Sequence, residues 1–516
     1  MPSIVLMFEV HQPYRLNPRL YERLVEKALR GSLEVKDIED AVFDNDLNRR
    51  VFERVADSCY VPATKIITEN IERSKNSSKE FKVSFSISGV FLEQALMWRR
   101  DVVEVFQRAV DTGRVELIEQ TYYHSLAAFI PHYGFEELRD QVLEHRRVIR
   151  ELFNYEPLSV ENTEFTYNND IACFLENMGF KVVLTEGVDW VLGWRSPNYV
   201  YRARGCSVPV LTRNYRLSDD VGFRFSDRNW DQYPLTADKY AEWLSKTPGD
   251  VILVAVDYET FGEHHKPETG ILEFLRWLPV EVSRRGNLEF ATPREVVEKH
   301  RPVDYYDVPP WSTISWADER DLSAWLGNQM QQTAFAALCE LRPYVMALDK
   351  PEITSLWRKL TISDHFYYMA TKTGPTGEVH SYFSPYKNPA VAFGIYMEAI
   401  SVLWTLVAAE IKRSRRRVIS RLVVPPHKAF YFTTPWGEYT GISARSLREL
   451  LEVVERVPAE SFLHHLHRGD LERWLTGVFF LEELRGELEE LRASTGSYHE
   501  KLNKFRELVG GVLRGN

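Results

Sequence analysis

Two carboxylates follow one apolar run in the stretch LVAVDYETFGEHH, residues 253–265. The apolar residues 251–256 predict a strand that is buried on both faces, and Asp257 and Glu259 come directly after it. Such carboxylates can be structural or catalytic. When two of them lie on different strands and face one pocket, they have the arrangement that glycoside hydrolysis requires, since one can attack the anomeric carbon while the other protonates the leaving oxygen.

A second acidic stretch, ENTEFTYNND, holds Glu161 and Glu164 beside aromatic residues. Polar groups at this density are expensive to bury, which favours a functional reading. A structural reading is also available, because NND before an apolar helical segment makes a good helix cap. If one of these carboxylates faces Asp257 in a retaining enzyme, the two carboxyl groups should be about 5–5.5 Å apart.

Three further polar clusters follow predicted strands or lie within helical sequence. HQP carries His11, GRVELIEQTYYHS carries Glu116 and His124, and TISDHFYYM carries Asp364 and Tyr367. A histidine at a strand end is, taken alone, more often a hydrogen-bonded structural residue than a catalytic one. The combination of clusters therefore matters more than any one of them.

The elements that must position these residues change in type near residue 305. Before it, six β-rich runs (SIVLMFEV, KVSFSIS, VELIEQT, KVVLTEG, VPVLTRN and VILVAVD) alternate with helical segments, which predicts an α/β fold with a parallel sheet or barrel. Functional residues gather at the carboxyl ends of strands in such folds. From 305 to 418 the periodicity is helical, interrupted by a predicted loop, TKTGPTGEVHSYFSPYKNP. Residues 419–516 predict a small α+β module of unknown role.

Composition narrows the function classes. The net charge of −10 argues against a protein that binds nucleic-acid phosphates. The four cysteines form no CxxC pair, so we expect four reduced, mostly buried thiols. The N-terminus predicts a first strand and not an export signal, which indicates a cytoplasmic protein. An apolar stretch near residues 391–411 is interrupted by Glu398 and Glu410 and predicts a buried helix, with no membrane partner.

The clusters together resemble the five short sequence regions of glycoside hydrolase family 57, enzymes that act on α-glucans. HQP, GRVE, TEFTY, DYETFG and SDHFYYM appear in the family's order. The resemblance implies that Glu164 is the nucleophile and Asp257 the general acid/base. It further implies substrate contacts for six residues: His11, Glu116, His124, Glu259, Asp364 and Tyr367. One departure is Glu9, which stands where many relatives carry a histidine.

The resemblance also implies a (β/α)7 barrel over residues 1–304, a distorted relative of the eightfold barrel. The helical domain, 305–418, would complete the cleft, and the C-terminal module would cover 419–516. The expected activity is α-amylase, by double displacement with retention and without cofactor or catalytic metal, on an α-glucan oligo- or polysaccharide. A 4-α-glucanotransferase would use the same residues. RNYRLSDD and SWADERDLSAWLGN resemble the amylase branch. The oligomeric state stays open between a monomer and a homo-oligomer.

Two other classes stay as alternatives. A metal-dependent sugar deacetylase would need an Asp and His pair as ligands, for example His264 and His265, or His124 with Asp257. Adjacent histidines cannot easily point the same way from a strand, which weakens this reading. A non-catalytic glucan-binding protein would keep the fold without turnover, and the presence of both carboxylates speaks against it.

Overall fold

The computed structural model describes residues 1–31, 33–77 and 79–514 and separates into two compact units. The first unit contains Met1–Ile130, Phe135–Phe335 and Thr361–Tyr396. The second contains Pro131–Gly134, Ala336–Leu360 and Met397–Asn516. These units divide the chain at other places than 304 and 418, so the three-domain division stays a prediction.

A ten-stranded, mostly parallel sheet forms the centre of the first unit. Its strands are β1 (Ser3–Val10), β2 (Val83–Ile87), β3 (Val115–Ile118), β4 (Ser159–Glu161), β5 (Val182–Glu186), β6 (Val200–Ala203), β7 (Pro209–Arg213), β8 (Val251–Asp257), β9 (Glu289–Phe290) and β10 (Tyr305–Tyr306). The main path is β10-β6-β7-β8-β1-β2-β3, with β4 on β5, β5 on β7 and β9 on β1. Among the described strands of this sheet, only β6 and β7 pair antiparallel. The α/β class with a mostly parallel sheet is therefore confirmed.

The helices occupy most of the remaining chain. In chain order they are α1 (Leu20–Arg30), α2 (Val35–Val42), α3 (Asn45–Val55), α4 (Val61–Ser74), α5 (Gly89–Trp98), α6 (Arg100–Asp111), α7 (Glu136–Phe153), α8 (Asn169–Asn177), α9 (Asp189–Leu192), α10 (Tyr215–Gly222), α11 (Ala237–Lys246), α12 (Ile271–Arg284), α13 (Pro293–Lys299), α14 (Ser323–Leu326), α15 (Gln329–Leu348), α16 (Pro351–Lys359), α17 (Ser363–Tyr367), α18 (Gly374–Phe383), α19 (Pro389–Arg421), α20 (Leu447–Val453), α21 (Ala459–Arg468), α22 (Asp470–Phe479), α23 (Arg485–Ala493) and α24 (Tyr498–Arg514). In the second unit, β11 (Phe430–Thr433) and β12 (Tyr439–Ala444) form an antiparallel pair.

Side-chain alternation along β1 and β8 decides which polar residues reach the site. The even-numbered residues of both strands belong to an apolar cluster shared with helices, and the apolar odd-numbered ones belong to a cluster made mainly by strands. Glu9 and Asp257 continue the odd-numbered series and are register partners in the parallel pair. Successive residues of a strand point to opposite faces, so these two carboxylates share one face at the strand ends.

Two expectations from the sequence are wrong. Cys173 and Cys206 form a disulfide, with Cα atoms 5.5 Å apart, so the chain does not hold four reduced thiols. The two cysteines are separated by 33 residues in sequence, and spacing alone does not predict such a pair. The second correction concerns the predicted loop, because helix α18 forms within it.

Helix α19 is long and apolar enough, by length and composition alone, to cross a membrane. In its most apolar window 39% of the residues are buried. The expected buried helix is thus buried only in part, and its assignment to a protein core stays a prediction.

Candidate active site

A cavity of about 830 Å³ opens at the carboxyl ends of β1 and β8 in the first unit. Its wall includes the two carboxylates singled out from the sequence, Glu164 and Asp257. Five of the six predicted substrate-contact residues also line it: His11, His124, Glu259, Asp364 and Tyr367. Residues more than three hundred positions apart in the chain thus meet at one site.

Glu164 sits in a tight turn directly after β4. Its backbone has φ 62°, and Phe165 follows with φ 51°. Both values lie in the left-handed region, which residues other than glycine rarely occupy. The Thr185 hydroxyl donates to the carbonyl of Phe165 at 2.9 Å, and the amide of Trp316 donates to the carbonyl of Glu164 at 3.1 Å. The turn is therefore held from two sides, which compensates for its unfavourable backbone.

Two donors fix the Glu164 carboxylate itself. The indole Nε1 of Trp316 donates to Oε2 at 2.7 Å, and the hydroxyl of Ser363 donates to Oε1 at 2.9 Å. The side chain keeps 14% of its surface exposed towards the cavity. A carboxylate held by donors and still accessible has the placement that a nucleophile needs.

Trp316 is itself tied down by an ion-pair network. Arg320 donates to the Trp316 carbonyl at 2.6 Å and to the Glu186 carboxylate at 2.9 Å. Arg213 donates to the same carboxylate at 2.8 Å. Breaking a buried network of this kind leaves uncompensated charge, so the network holds the loop that carries the indole.

Asp257 also lines the cavity, and its carboxyl group has a strongly shifted pKa. Burial, followed by the charges of Glu9 and Glu164, raises the pKa of Asp257 to about 7. Glu259 lies in the turn after it and accepts from the Tyr60 hydroxyl at 2.5 Å. Burial and the charge of Asp257 raise the pKa of Glu259 to about 8. Asp257 can thus hold a proton near neutral pH, as a general acid must.

His11 and Asp364 form a hydrogen-bonded pair at the cavity. His11 Nε2 lies 3.1 Å from Asp364 Oδ2, and Nδ1 lies 2.7 Å from the Ser88 hydroxyl. Burial and the charge of His124 lower the pKa of His11 to about 4. Burial opposes charge on Asp364, but its hydrogen bond to His11 and the nearby histidines outweigh it and lower its pKa to about 2. A neutral imidazole therefore donates to an ionised carboxylate.

The structure does not bring Glu116 to the cavity. It is the second residue of β3, and its carboxylate accepts from the Ser159 hydroxyl and, at 3.1 Å, from the amide of Arg294 at the start of α13. Burial raises the pKa of Glu116. Its neighbours tie it to a helix terminus at the other end of the strand, which accounts for its place better than a substrate contact does.

Two of the histidines considered as deacetylase ligands, His264 and His265, contact other protein groups, whereas His124 and Asp257 both line the cavity. His265 contacts the Ser226 hydroxyl at 2.6 Å and the Val221 carbonyl at 3.0 Å. His264 packs edge-on against Phe383, with ring centroids 5.3 Å apart. Over the described ranges, no three His, Cys, Asp or Glu side chains group as metal ligands would.

The sequence did not predict the contacts of four residues at this site. Trp316 and Ser363 hold Glu164, Arg213 anchors the network, and Glu9 is a buried neighbour of Asp257. Trp316 is the second residue of SWADERDLSAWLGN, a stretch that resembles the amylase branch, and Ser363 directly precedes Asp364. The sequence at neither position predicts a hydrogen bond to the Glu164 carboxylate, because the contacts join distant parts of the chain.

Comparison with known proteins supplies a family. The model of the family described as Glycosyl hydrolase family 57 matches residues 5–309. A Methanocaldococcus jannaschii protein named "Putative alpha-amylase" is 44% identical over 413 residues, which cover 77% of this chain and 83% of that protein.

Solved structures agree in fold at low sequence identity. A GH57-type branching enzyme from Pyrococcus horikoshii superposes with a TM-score of 0.57 at 13% identity, covering 80% of this chain and 92% of that one. A GH57 branching enzyme from Thermococcus kodakaraensis gives 0.55 at 13% identity, covering 81% and 94%. For the 4-alpha-glucanotransferase from Thermococcus litoralis the TM-score is 0.53 at 16% identity, and this chain, 71% of which is covered, spans 56% of that chain's length.

Proposed function

Because the chain belongs to glycosyl hydrolase family 57, we propose that it cleaves α-1,4-glucosidic bonds in α-glucans with retention of configuration. The single observation that carries the proposal is that Glu164 and Asp257 line one cavity in different surroundings. Glu164 is held by donors that suit an anion. Burial and the negative charge of its neighbours raise the pKa of Asp257 to about 7, so a large fraction of this group holds a proton near neutral pH. Two carboxyl groups in such different surroundings suit the separate roles of nucleophile and acid.

In the first step, Glu164 attacks the anomeric carbon of a glucose unit while protonated Asp257 transfers its proton to the leaving oxygen. A glucosyl ester on Glu164 and a shortened glucan result. In the second step, ionised Asp257 removes a proton from the incoming acceptor, whose oxygen displaces Glu164. His11, Asp364 and Tyr367 line the cavity and would contact sugar hydroxyls and ring faces near the bond.

The scaffold that we infer for this chemistry is a seven-stranded barrel. Seven parallel strands follow one another by pairing from β4 through β5, β7, β8, β1 and β2 to β3. A parallel bridge between Glu119 and Val160 links the end of β3 back to β4. Barrels of this general type collect catalytic residues at strand ends, and Asp257 is the last residue of β8.

The acceptor distinguishes an amylase from a 4-α-glucanotransferase. Water as the acceptor gives hydrolysis, and a 4-hydroxyl of a second glucan gives transfer by the same two residues. We favour hydrolysis because of the 44% identity to the protein from M. jannaschii and its name, whereas the branching enzymes and the glucanotransferase share the fold at 13–16% identity.

The test is a time course with maltoheptaose as substrate, comparing the wild-type protein with Glu164→Gln and Asp257→Asn. Hydrolysis gives shorter oligosaccharides and a rising number of reducing ends. Transfer gives products longer than seven units at a constant number of reducing ends, and would replace the amylase assignment with the glucanotransferase. No turnover, or turnover that survives both substitutions, would refute the roles of the two carboxylates.

A further inference from the structure

Glu9 is a carboxylate in an unusual position, since it is 2% exposed and stands among other acids. In the sheet it is the register partner of Ser86 on one side and Asp257 on the other. Burial of a carboxylate is costly unless a positive charge or donors compensate it. Glu9 therefore needs a positively charged or hydrogen-bond-donating neighbour.

That partner is His124, which lies between Glu9 and Glu164. Its Nδ1 is 2.9 Å from Glu9 Oε1 and 2.9 Å from the amide oxygen of Gln120. Its Nε2 is 3.6 Å from Glu164 Oε1. Gln120 directs its oxygen to the ring because its amide nitrogen donates to the Ser86 hydroxyl at 2.8 Å.

The oxygens around His124 suit a doubly protonated ring. An imidazolium donates from both nitrogens, whereas the neutral ring has one donor and one acceptor. The neighbours of both nitrogens are acceptors: a carboxylate and an amide oxygen at Nδ1 and a carboxylate at Nε2. The ring of His11 stacks on it at 4.2 Å. His11 is the neutral member of this pair, so the two stacked rings together carry one positive charge, on His124.

The charges that face His124 come from several elements. They are Glu9 on β1, His11 after β1, Glu161 on β4, Glu164 after β4, Asp257 on β8 and Asp364 on α17. Burial opposes charge on His124, but Glu9 and Glu164 outweigh it and raise its pKa well above the ordinary value. Burial and the charge of Glu9 raise the pKa of Glu161 well above its usual range. Burial also raises the pKa of Glu9, and the charge of His124 acts in the opposite direction.

We propose that Glu9 is a positioning residue that holds His124 as a cation beside the nucleophile Glu164. This role rests on the function proposed above. During formation of the glucosyl ester, Glu164 loses its negative charge, so a neighbouring cation does not favour that step. When the ester breaks, negative charge returns to Glu164, and the His124 cation stabilises the transition state. Glu9 would thus act on the second half of the reaction.

The first measurement follows the protonation of His124 directly, without turnover. Full-length protein with ¹³C,¹⁵N-labelled histidine is titrated by NMR, and the His124 signal is assigned by its loss in His124→Asn. We expect Glu9→Gln to lower the titration midpoint of His124 by roughly one to three pH units, the usual effect of one adjacent opposite charge. Glu9→Asp keeps the charge at shorter reach and should lie between. Glu116→Gln, which removes a buried carboxylate away from the cavity, should leave the midpoint in place.

The second measurement separates the two chemical steps with an activated aryl α-glucoside or α-maltoside, whose first step is fast. We expect Glu9→Gln to lower kcat and KM together by about tenfold and to leave kcat/KM nearly unchanged, because only the second step is slowed. An unchanged His124 midpoint in Glu9→Gln overturns the proposal, as does a shifted midpoint with kcat unaltered. If the wild type turns over no glucan or glucoside, the proposed function fails, while the titration still decides whether Glu9 stabilises the protonated form of His124.

Discussion

The protonation of Asp257 makes a quantitative prediction about pH. If this carboxyl group is the general acid and its pKa is about 7, the rate of glucan cleavage should follow its protonated fraction. That fraction is about one half at pH 7, about one tenth at pH 8 and about one hundredth at pH 9. An aspartate with its ordinary pKa of about 3.9 would give no protonated acid to measure in this range.

The assay is the initial rate of reducing-end release from maltoheptaose between pH 5 and 9, with each rate corrected for enzyme stability at that pH. Asp257→Asn should lower the rate at pH 6 by about 10²- to 10⁴-fold, the usual contribution of general acid–base catalysis. An aryl glucoside with a good leaving group needs little protonation, so its first step should lose the fall above pH 7.

Glu259 provides the matched control, because it is the neighbouring carboxyl with a pKa near 8. Glu259→Gln keeps the side-chain shape and removes that titration. We expect the fall near pH 7 to persist in this variant. A fall that disappears in Glu259→Gln, or a wild-type profile that stays flat to pH 9, would refute the assignment of the acid to Asp257.

Three other predictions concern single contacts. Trp316→Phe should lower kcat/KM by about tenfold to a hundredfold, because it removes a donor to the Glu164 carboxylate. Trp325→Phe, at the same cavity, removes an indole N–H that has no partner among the described residues and should lower kcat/KM less. Equal losses in the two variants would contradict this explanation. Cys173→Ser should lower the free energy of unfolding by roughly 3–4 kcal/mol in denaturant titrations, because the disulfide closes a loop of 33 residues; an unchanged transition midpoint would contradict it. Glu116→Gln should lower the free energy of unfolding by about 1–2 kcal/mol, because glutamine offers one acceptor oxygen to the two donors, the Ser159 hydroxyl and the Arg294 amide. The value of kcat/KM on maltoheptaose should stay near that of the wild type. A large loss of activity would indicate that Glu116 contacts the substrate.

The parts of the fold that the sequence predicted well are those whose signal is local. All six predicted strands form, from β1 to β8, because their apolar runs are long enough to be buried on both faces. In the large sheet, the strands that were not predicted are β4, β6, β9 and β10, which have two to four residues each and pair along the edges of neighbouring strands. Helix α18 was missed since its glycine- and proline-containing sequence is typical of a loop.

The site shows the same division. His11, His124, Glu164, Asp257 and Asp364 follow strands or lie in recognisable short regions, and they line one cavity. Their partners could not be predicted, because a hydrogen bond between Trp316 and Glu164 spans 152 residues of sequence. Glu116 differs from these residues, since its region resembles the family but its side chain lies at the start of β3, away from the cavity.

The pairing of β1 with β8 has a consequence for how the chain folds. Glu9 and Asp257 become neighbours only when segments about 250 residues apart have joined, and Ser363 must arrive later still from the carboxyl side. Contacts of such long range form slowly, since the loop between them must first be closed. During synthesis, the complete cluster cannot assemble until residue 363 and α17 have left the ribosome. In refolding experiments, the recovery of turnover should therefore lag behind the recovery of helical circular dichroism, and enzymatic activity becomes a reporter of the last stage of folding.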